Sequence, residues 1–496
     1  MATSPSKRLL ALLVGVVAIV VLIVAWRVVS DRRQTWSSGD PHNELLGVTD
    51  GGVLFNDPAG APGAKRAVME RINRIHGKIQ QENQRVARQG AYVKAVLLMP
   101  LTVSNAENTL SAITLEQIEH ALQGTYTALV RANTTTVFGD YRQVGLQLLL
   151  ANQGSRQDAG DRLLGKVLEV SEEEHPLVGV LGLGSSVPST ESAVRWLGAR
   201  RIPMVSAITS ADSLTGLPMF WSVSPSNIQY VKALRHYLDT RKTLKSAIVV
   251  YDRNRDPYTN SLFTAFRNEL SGYVKFPDLS YVGATIDQSG TPNLFAAVVT
   301  NLCTAVNSRQ NPLDTVLYAG RGADFAYFAQ ALKTRSCVGT PLTVLAAATG
   351  FASTDPYTKD LEEGNVSVIY ATSGDGEDWP KERSDPPDGF GFFQTAYRGH
   401  GFPSDDLKDG MAMAHHDALA VLAVAARLGP PVPKPADVAA QFGNLVLAYA
   451  ARGASGDLSF PTMALGRAVG RVIPIKQIAR DVPQGLPANF EPYRTT

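Results

Sequence analysis

Cysteine is nearly absent. The 496 residues contain two, Cys303 and Cys337, too few for a disulfide scaffold but enough for one bridge in an exported chain. An excess of one charge is also lacking. The formal net charge is +2 with 19% charged residues, so no basic field points to nucleic acid. Enzyme signatures are missing as well: there is no Gly-x-Ser-x-Gly elbow, Walker loop or His-Glu-x-x-His. Gly179, Gly182 and Gly184 fall in the wrong order, and too late, for a dinucleotide fingerprint. What remains is an ordinary globular composition, 44% apolar, with length enough for two or three domains.

One long apolar run is present, residues 9–26, flanked by Lys7 and Arg8 before it and Arg27, Arg32 and Arg33 after it. Its length is near the lower limit for a helix that spans a bilayer. A cleaved signal peptide is the rival reading, but its apolar core is usually shorter, about 7–15 residues, and Val28-Val29-Ser30 is a poor cleavage site. No cysteine follows the run, which excludes a lipid anchor. The expectation is a cytoplasmic tail at 1–8, an uncleaved single-pass anchor at 9–29, and the bulk of the chain outside the cell membrane.

Residues 30–66 are rich in Gly, Pro, Ser and Asp and read as a linker, with a small turn and strand within 47–55. Residues 67–91 have a helical pattern with Ile72, Ile75, Ile79 and Val86 on one stripe. Together 30–92 is expected to be a linker and spacer helix. From Tyr92 apolar runs alternate with amphipathic stretches: strands at 93–102, 144–150, 177–182 and 203–206, then 246–251, 279–283, 315–319, 342–346 and 366–370. That alternation implies α/β architecture with parallel sheets covered on both faces.

Two turns stand out. The run 177–182 ends in Gly182-Leu183-Gly184-Ser185-Ser186, followed by Pro188 and a helical pattern. The amides after Gly184 and the hydroxyls of Ser185 and Ser186 suit an anion or carboxylate, aided by the helix dipole. The plain alternative is a strand-to-helix turn with an N-cap serine. About twenty residues on, Met204-Val205-Ser206 leads into a second hydroxyl turn, Thr209-Ser210. Two such turns on neighbouring parallel strands form half of a ligand cleft.

These segments, with Phe220-Trp221-Ser222, Ser246 to Asp252 followed by Tyr258, Val316 to Gly320, and Asp409 to Ala418, resemble in order the type I periplasmic (solute) binding proteins of bacteria, in particular the branched-chain amino acid (Leu/Ile/Val) receptors. The likeness covers roughly 93–478. It implies two Rossmann-like lobes joined by a three-strand hinge, with crossings near 222–227, near 370–374 and within 445–457. Lobe one would be 93–222 plus 373–447, lobe two 227–369 plus 448–478, and 479–496 a tail. It implies a non-enzymatic receptor without cofactor or metal, whose partners are a small-molecule ligand and an ABC permease. The ligand would be held by Gly184, Ser185, Ser186, Ile208, Thr209 and Ser210, then covered by Tyr258 from lobe two.

This sequence departs from that pattern twice. Arg321 stands where the receptors use an aromatic; it is expected either to meet a ligand carboxylate or to be solvated. The acidic partner for an ammonium group is missing near 346–350, and Asp324 is an imperfect substitute. An ordinary α-amino acid is therefore a poor expectation, and a sensing or protein-interaction ectodomain is the alternative function. His415-His416-Asp417 hints at metal, but adjacent helical residues point about 100° apart, so packing is expected. In an exported lobe two, a Cys303–Cys337 bridge is expected to tie two neighbouring helices.

Overall fold

The structure, a computed structural model, describes residues 35–36, 44–104, 111–241, 244–254, 256–283, 293–347, 357–382, 384–479 and 491–495. The expected tail 1–8, the anchor 9–29 and the segment 348–350 lie outside the described residues. Among the described residues, no helix is long and apolar enough to cross a membrane.

Seven strands build the first sheet: β1 (Thr35–Trp36), β2 (Leu46–Thr49), β3 (Tyr92–Met99), β4 (Gly145–Asn152), β5 (Leu177–Gly182), β6 (Met204–Ser206) and β7 (Phe220–Ser222). Their spatial order is β1-β2-β4-β3-β5-β6-β7. From β4 to β7 all neighbours are parallel; β2 joins β4 antiparallel, and β1 joins β2 the same way. Every residue of β5 is buried, as expected for a strand covered on both faces.

The second sheet begins with β8 (Ala247–Asp252), β9 (Leu279–Tyr281), β10 (Thr315–Ala319), β11 (Leu342–Ala347) and β12 (Val366–Ala371). The chain then returns to the first lobe through helices Asp388–Gly399 and Met411–Arg427 and the hairpin β13 (Ala451–Gly453) and β14 (Gly456–Leu458). Finally β15 (Val472–Ile473) leads to β16 (Ile475–Ile478), which pairs antiparallel with β12, and β17 (Tyr493–Arg494) pairs with β15. The second sheet thus runs β16-β12-β11-β10-β8-β9. Both parallel cores have the doubly wound order 2-1-3-4-5, whose strand order reverses beside β3/β5 in one lobe and β8/β10 in the other.

Three expectations need correction. Residues 46–87 are not a linker with a spacer helix. β2 extends the first sheet, and helix Gly63–Ala87 buries Ile72 and Ile79 completely in the same core as β3 and β4. Each such isoleucine contributes about 1.5–3 kcal/mol. The small strand expected within 47–55 overlaps β2; what its residues did not show is the pairing with β4 that makes it part of the sheet.

The third crossing does not lie in 445–457. Ala451, Leu458, Phe460 and Ala468 pack in the first-lobe core, and Ala468 N donates to Ser222 O at 3.0 Å. The chain passes over after Ala468, so 448–468 belongs to lobe one. The reason is Asp417, fully buried on helix Met411–Arg427, which accepts from the Ala454 and Ser455 amides and the Ser455 hydroxyl and so pins the hairpin. Nor is the end of the chain only a tail, since Tyr493–Arg494 pairs with the crossing itself.

Two tryptophans flank the crossings. Trp221 in β7 stacks on Phe442 with ring centroids 3.8 Å apart, and buried Trp379 packs beside Gly374 and Phe390. Helix Leu115–Thr134 starts at a capping box between Thr114 and Gln117. It approaches helix Met411–Arg427 so closely that a Cβ on Gly124 would fall 1.9 Å from the Ala412 carbonyl oxygen.

Candidate functional site: the cleft between the two sheets

The first turn is shaped by three successive residues with positive φ, Gly182 (91°), Leu183 (64°) and Gly184 (63°), which swing the chain from β5 into helix Pro188–Ala199. A side chain at Gly184 would meet the Gln157 carboxamide at 2.5 Å, so glycine is required twice over. Gln157 is buried against the turn. Its Oε1 accepts from Ser185 N at 2.8 Å, and its Nε2 donates to Ser185 O and to Thr190 Oγ1. The first amide expected to face a ligand is therefore taken by a side chain of the protein.

The two hydroxyl turns do meet. Ser186 Oγ accepts from Ser210 N at 3.1 Å and Ala211 N at 3.3 Å. Ser185 is half-buried, with its hydroxyl on Ala112 O. Ile208 is half-buried against the first-lobe core. Thr209 is fully buried, with its hydroxyl against Ser206 Oγ. Its carbonyl oxygen accepts from Arg467 Nη1 at 2.7 Å. Arg467 also donates to Ala211 O and Thr215 Oγ1, and burial lowers its guanidinium pKa to about 10.

From the second sheet, β8 leads to Asp256, the N-cap of helix Pro257–Glu269, whose carboxylate accepts from the Tyr258 and Thr259 amides. Helix Gly322–Lys333 begins after β10 with Arg321 as its N-cap. Arg321 Nε and Nη2 both reach Asp256 Oδ2, at 2.9 and 2.5 Å, and Nη2 continues to Ser186 O of the opposite lobe at 2.8 Å. The guanidinium carbon lies 5.4 Å from the centroid of the Tyr258 ring. Tyr258 Oη donates to the Ala347 carbonyl at the end of β11, and burial pushes its phenol well above the ordinary value.

Ser186, Ser210, Tyr258 and Arg321 are thus brought to one place, where the carboxyl ends of both sheets face each other. Thr209 is buried beneath them, and Ser185 is half-buried on the same turn as Ser186. A second contact crosses the cleft nearby: Ser261 Oγ donates to Asp212 Oδ2 at 2.6 Å. Beside it lies a cavity of about 320 Å³ lined by both lobes, Glu191 and Asp212 from one and Asp256, Asn260 and Thr264 from the other.

Several solved structures share this architecture. A branched-chain amino acid ABC transporter protein from Thermus thermophilus with bound valine aligns over 82% of this chain and 97% of its own, at 13% identity and TM-score 0.57. A solute-binding protein of an ABC transporter from Rhodopseudomonas palustris in complex with p-hydroxybenzoic acid gives the same coverages, identity and score. An ABC transporter substrate-binding protein from Desulfitobacterium hafniense aligns over 82% and 99%, at 16% identity and TM-score 0.55. The fold is that of the type I periplasmic binding proteins. No family model and no curated protein matches the sequence.

Within this type I binding-protein fold, the remaining expected sites are internal. Asp324 is fully buried beside Gly283, Tyr281 and Tyr318, whose phenols are raised by burial and by its charge. Ala346 and Ala347 are buried. His415 and His416 diverge: His415 Nδ1 meets the Met411 carbonyl, while His416 links Asp417 Oδ1 (2.8 Å) to Arg131 Nη1 (2.7 Å). Cys303 and Cys337 are bonded, with Cα atoms 5.4 Å apart. They tie helix Ala296–Val306 to the segment after helix Gly322–Lys333.

Sequence reasoning missed Asp256, Gln157 and Arg467. Asp256-Pro257 is a legible N-cap signal that would have placed the carboxylate beside Tyr258. Nothing in the sequence marks Gln157 or Arg467.

Proposed function

We propose that this chain is an extracytoplasmic solute-binding protein, held to the cell membrane by residues 9–29, that closes on a small polar ligand and presents it to an ABC importer. The observation that carries the reading is the meeting of Ser186 and Ser210 from one sheet with Tyr258 and Arg321 from the other, where both strand orders reverse. Ligand would first meet the hydroxyl turns of lobe one; rotation about the crossings would then bring Tyr258 and Arg321 over it. With the anchor ending at residue 29, only residues 30–34 precede β1, at most about 18 Å of chain. So short a tether supports service to a partner in the same membrane.

A thermal-shift screen of the full chain against amino acids, amides, carboxylic acids, sugars and nucleosides tests this. A true ligand at about 100 times its Kd contributes about 2.7 kcal/mol, and no response from any class would sink the transport reading.

One observation favours a second reading, a sensing or protein-interaction ectodomain. The groups expected to face ligand are taken up by the protein itself: Ser185 N by Gln157, Thr209 O by Arg467 and Tyr258 Oη by Ala347 O within their own lobes, and Ser186 O by Arg321 across the cleft. A cleft so satisfied can stay shut without cargo. A permease and an ATPase encoded beside the gene would favour transport; their absence would favour this alternative.

A further inference from the structure

The three crossings converge on one buried polar junction. Ser224 lies on the first, Ser373 on the second and Arg471 on the third, and Tyr230 reaches in from helix Asn227–Arg241; all four are buried. Arg471 is 1% exposed, the largest fully buried side chain among the described residues. Its Nη2 donates to the Ser373 carbonyl. Its Nε and Nη1, however, have no hydrogen-bond partner among the described residues. Tyr230 lies within electrostatic reach of the Arg471 guanidinium, and the Ser224 and Ser373 side chains approach its hydroxyl.

Two N–H groups of a buried cation left unpaired cost several kcal/mol. The neighbouring carboxylates are already engaged. Asp417 is shared between Arg471 and Arg131, Asp212 faces Arg467, and Asp375 and Asp378 meet Lys476. None of them accepts from Arg471 Nε or Nη1, so the unmet need is for an acceptor. Water would serve as one, but it brings two donors of its own into the buried junction, whereas a small anion brings none.

We propose that the hinge binds one small monovalent anion of the chloride class between the Arg471 guanidinium and the Tyr230 hydroxyl. The anion would join the third crossing to the helix that follows the first, beside Ser373 of the second. It would thereby set how readily the lobes part.

The test uses the full chain moved between sodium chloride and sodium gluconate at constant ionic strength, so that screening is unchanged. Chloride is expected to raise Tm saturably, by about 2 °C or more. Arg471→Met should abolish the difference, and Tyr230→Phe should raise the half-saturating chloride concentration several-fold. Bromide-soaked crystals of the unaltered protein should show an anomalous peak beside Arg471, a readout that stands even if Arg471→Met fails to fold. Equal Tm in both salts with no bromide peak would mean water alone fills the junction. A chloride response that persists in Arg471→Met would place the ion elsewhere. Either result overturns the proposal.

Discussion

Arg321 of the second lobe donates to the Ser186 carbonyl oxygen of the first across 2.8 Å, while Asp256 holds the same guanidinium from behind. The contact joins the two lobes through one hydrogen bond from a charged donor, the kind that typically contributes about 1.5–3 kcal/mol. Partial exposure of the pair reduces that.

Arg321→Ala should therefore shift the protein toward an open form by roughly tenfold, corresponding to about 1.4 kcal/mol. Small-angle scattering of the ligand-free protein would show a larger radius of gyration than the parent. An unchanged profile would mean that Arg321 does not help hold the cleft shut.

Ser186→Ala removes the acceptor shared by the Ser210 and Ala211 amides. The expected loss is about 1–3 kcal/mol of unfolding free energy, measured by urea denaturation. Ser185→Trp, at a half-buried position beside the same turn, should abolish any ligand-induced thermal shift, and an unaltered affinity would reject the proposed pocket.

Acid should destabilise the protein through two histidines. Burial lowers the pKa of both His76 and His415 to about 4 from an ordinary 6.5. The unfolded chain binds more protons than the folded one between those values. Stability is therefore full above about pH 6.5 and declines as pH falls toward 4, by about 3 kcal/mol for each group. A His415→Leu variant should show a shallower decline in unfolding free energy over that window than the parent.

The Cys303–Cys337 bridge closes a loop of sequence separation 34. Loop-closure entropy puts its contribution near 3–4 kcal/mol. Denaturation with and without reductant, or of the double serine variant, should show a loss of that size.

A fragment beginning at Tyr92 should not fold, because it lacks helix Gly63–Ala87 and its buried Ile72, Ile75 and Ile79. One beginning at residue 35 should give a cooperative transition. Equal behaviour of the two fragments would contradict the packing of that helix in the first-lobe core.

The doubly wound cores were legible because their strands are long apolar runs and their helices carry a stripe. The two hydroxyl turns were legible because glycine and serine mark a strand-to-helix corner. Less visible were elements whose stability comes from distant partners. β2 spans four residues and exists by pairing with β4. The β13–β14 hairpin is held by Asp417, more than thirty residues away in sequence. The same holds for Arg321, which read as either a ligand group or a solvated one and instead lies between Asp256 and Ser186. Short elements and long-range ion pairs leave no periodic trace in a single sequence.

The stacking of Trp221 on Phe442 and the packing of Trp379 against Gly374 give the molecule a built-in optical gauge. Both indoles pack within the first-lobe core, so they register the loosening of that lobe while staying silent to a rigid parting of the halves. Intrinsic emission can therefore separate unfolding of the first lobe from opening in the unlabelled protein.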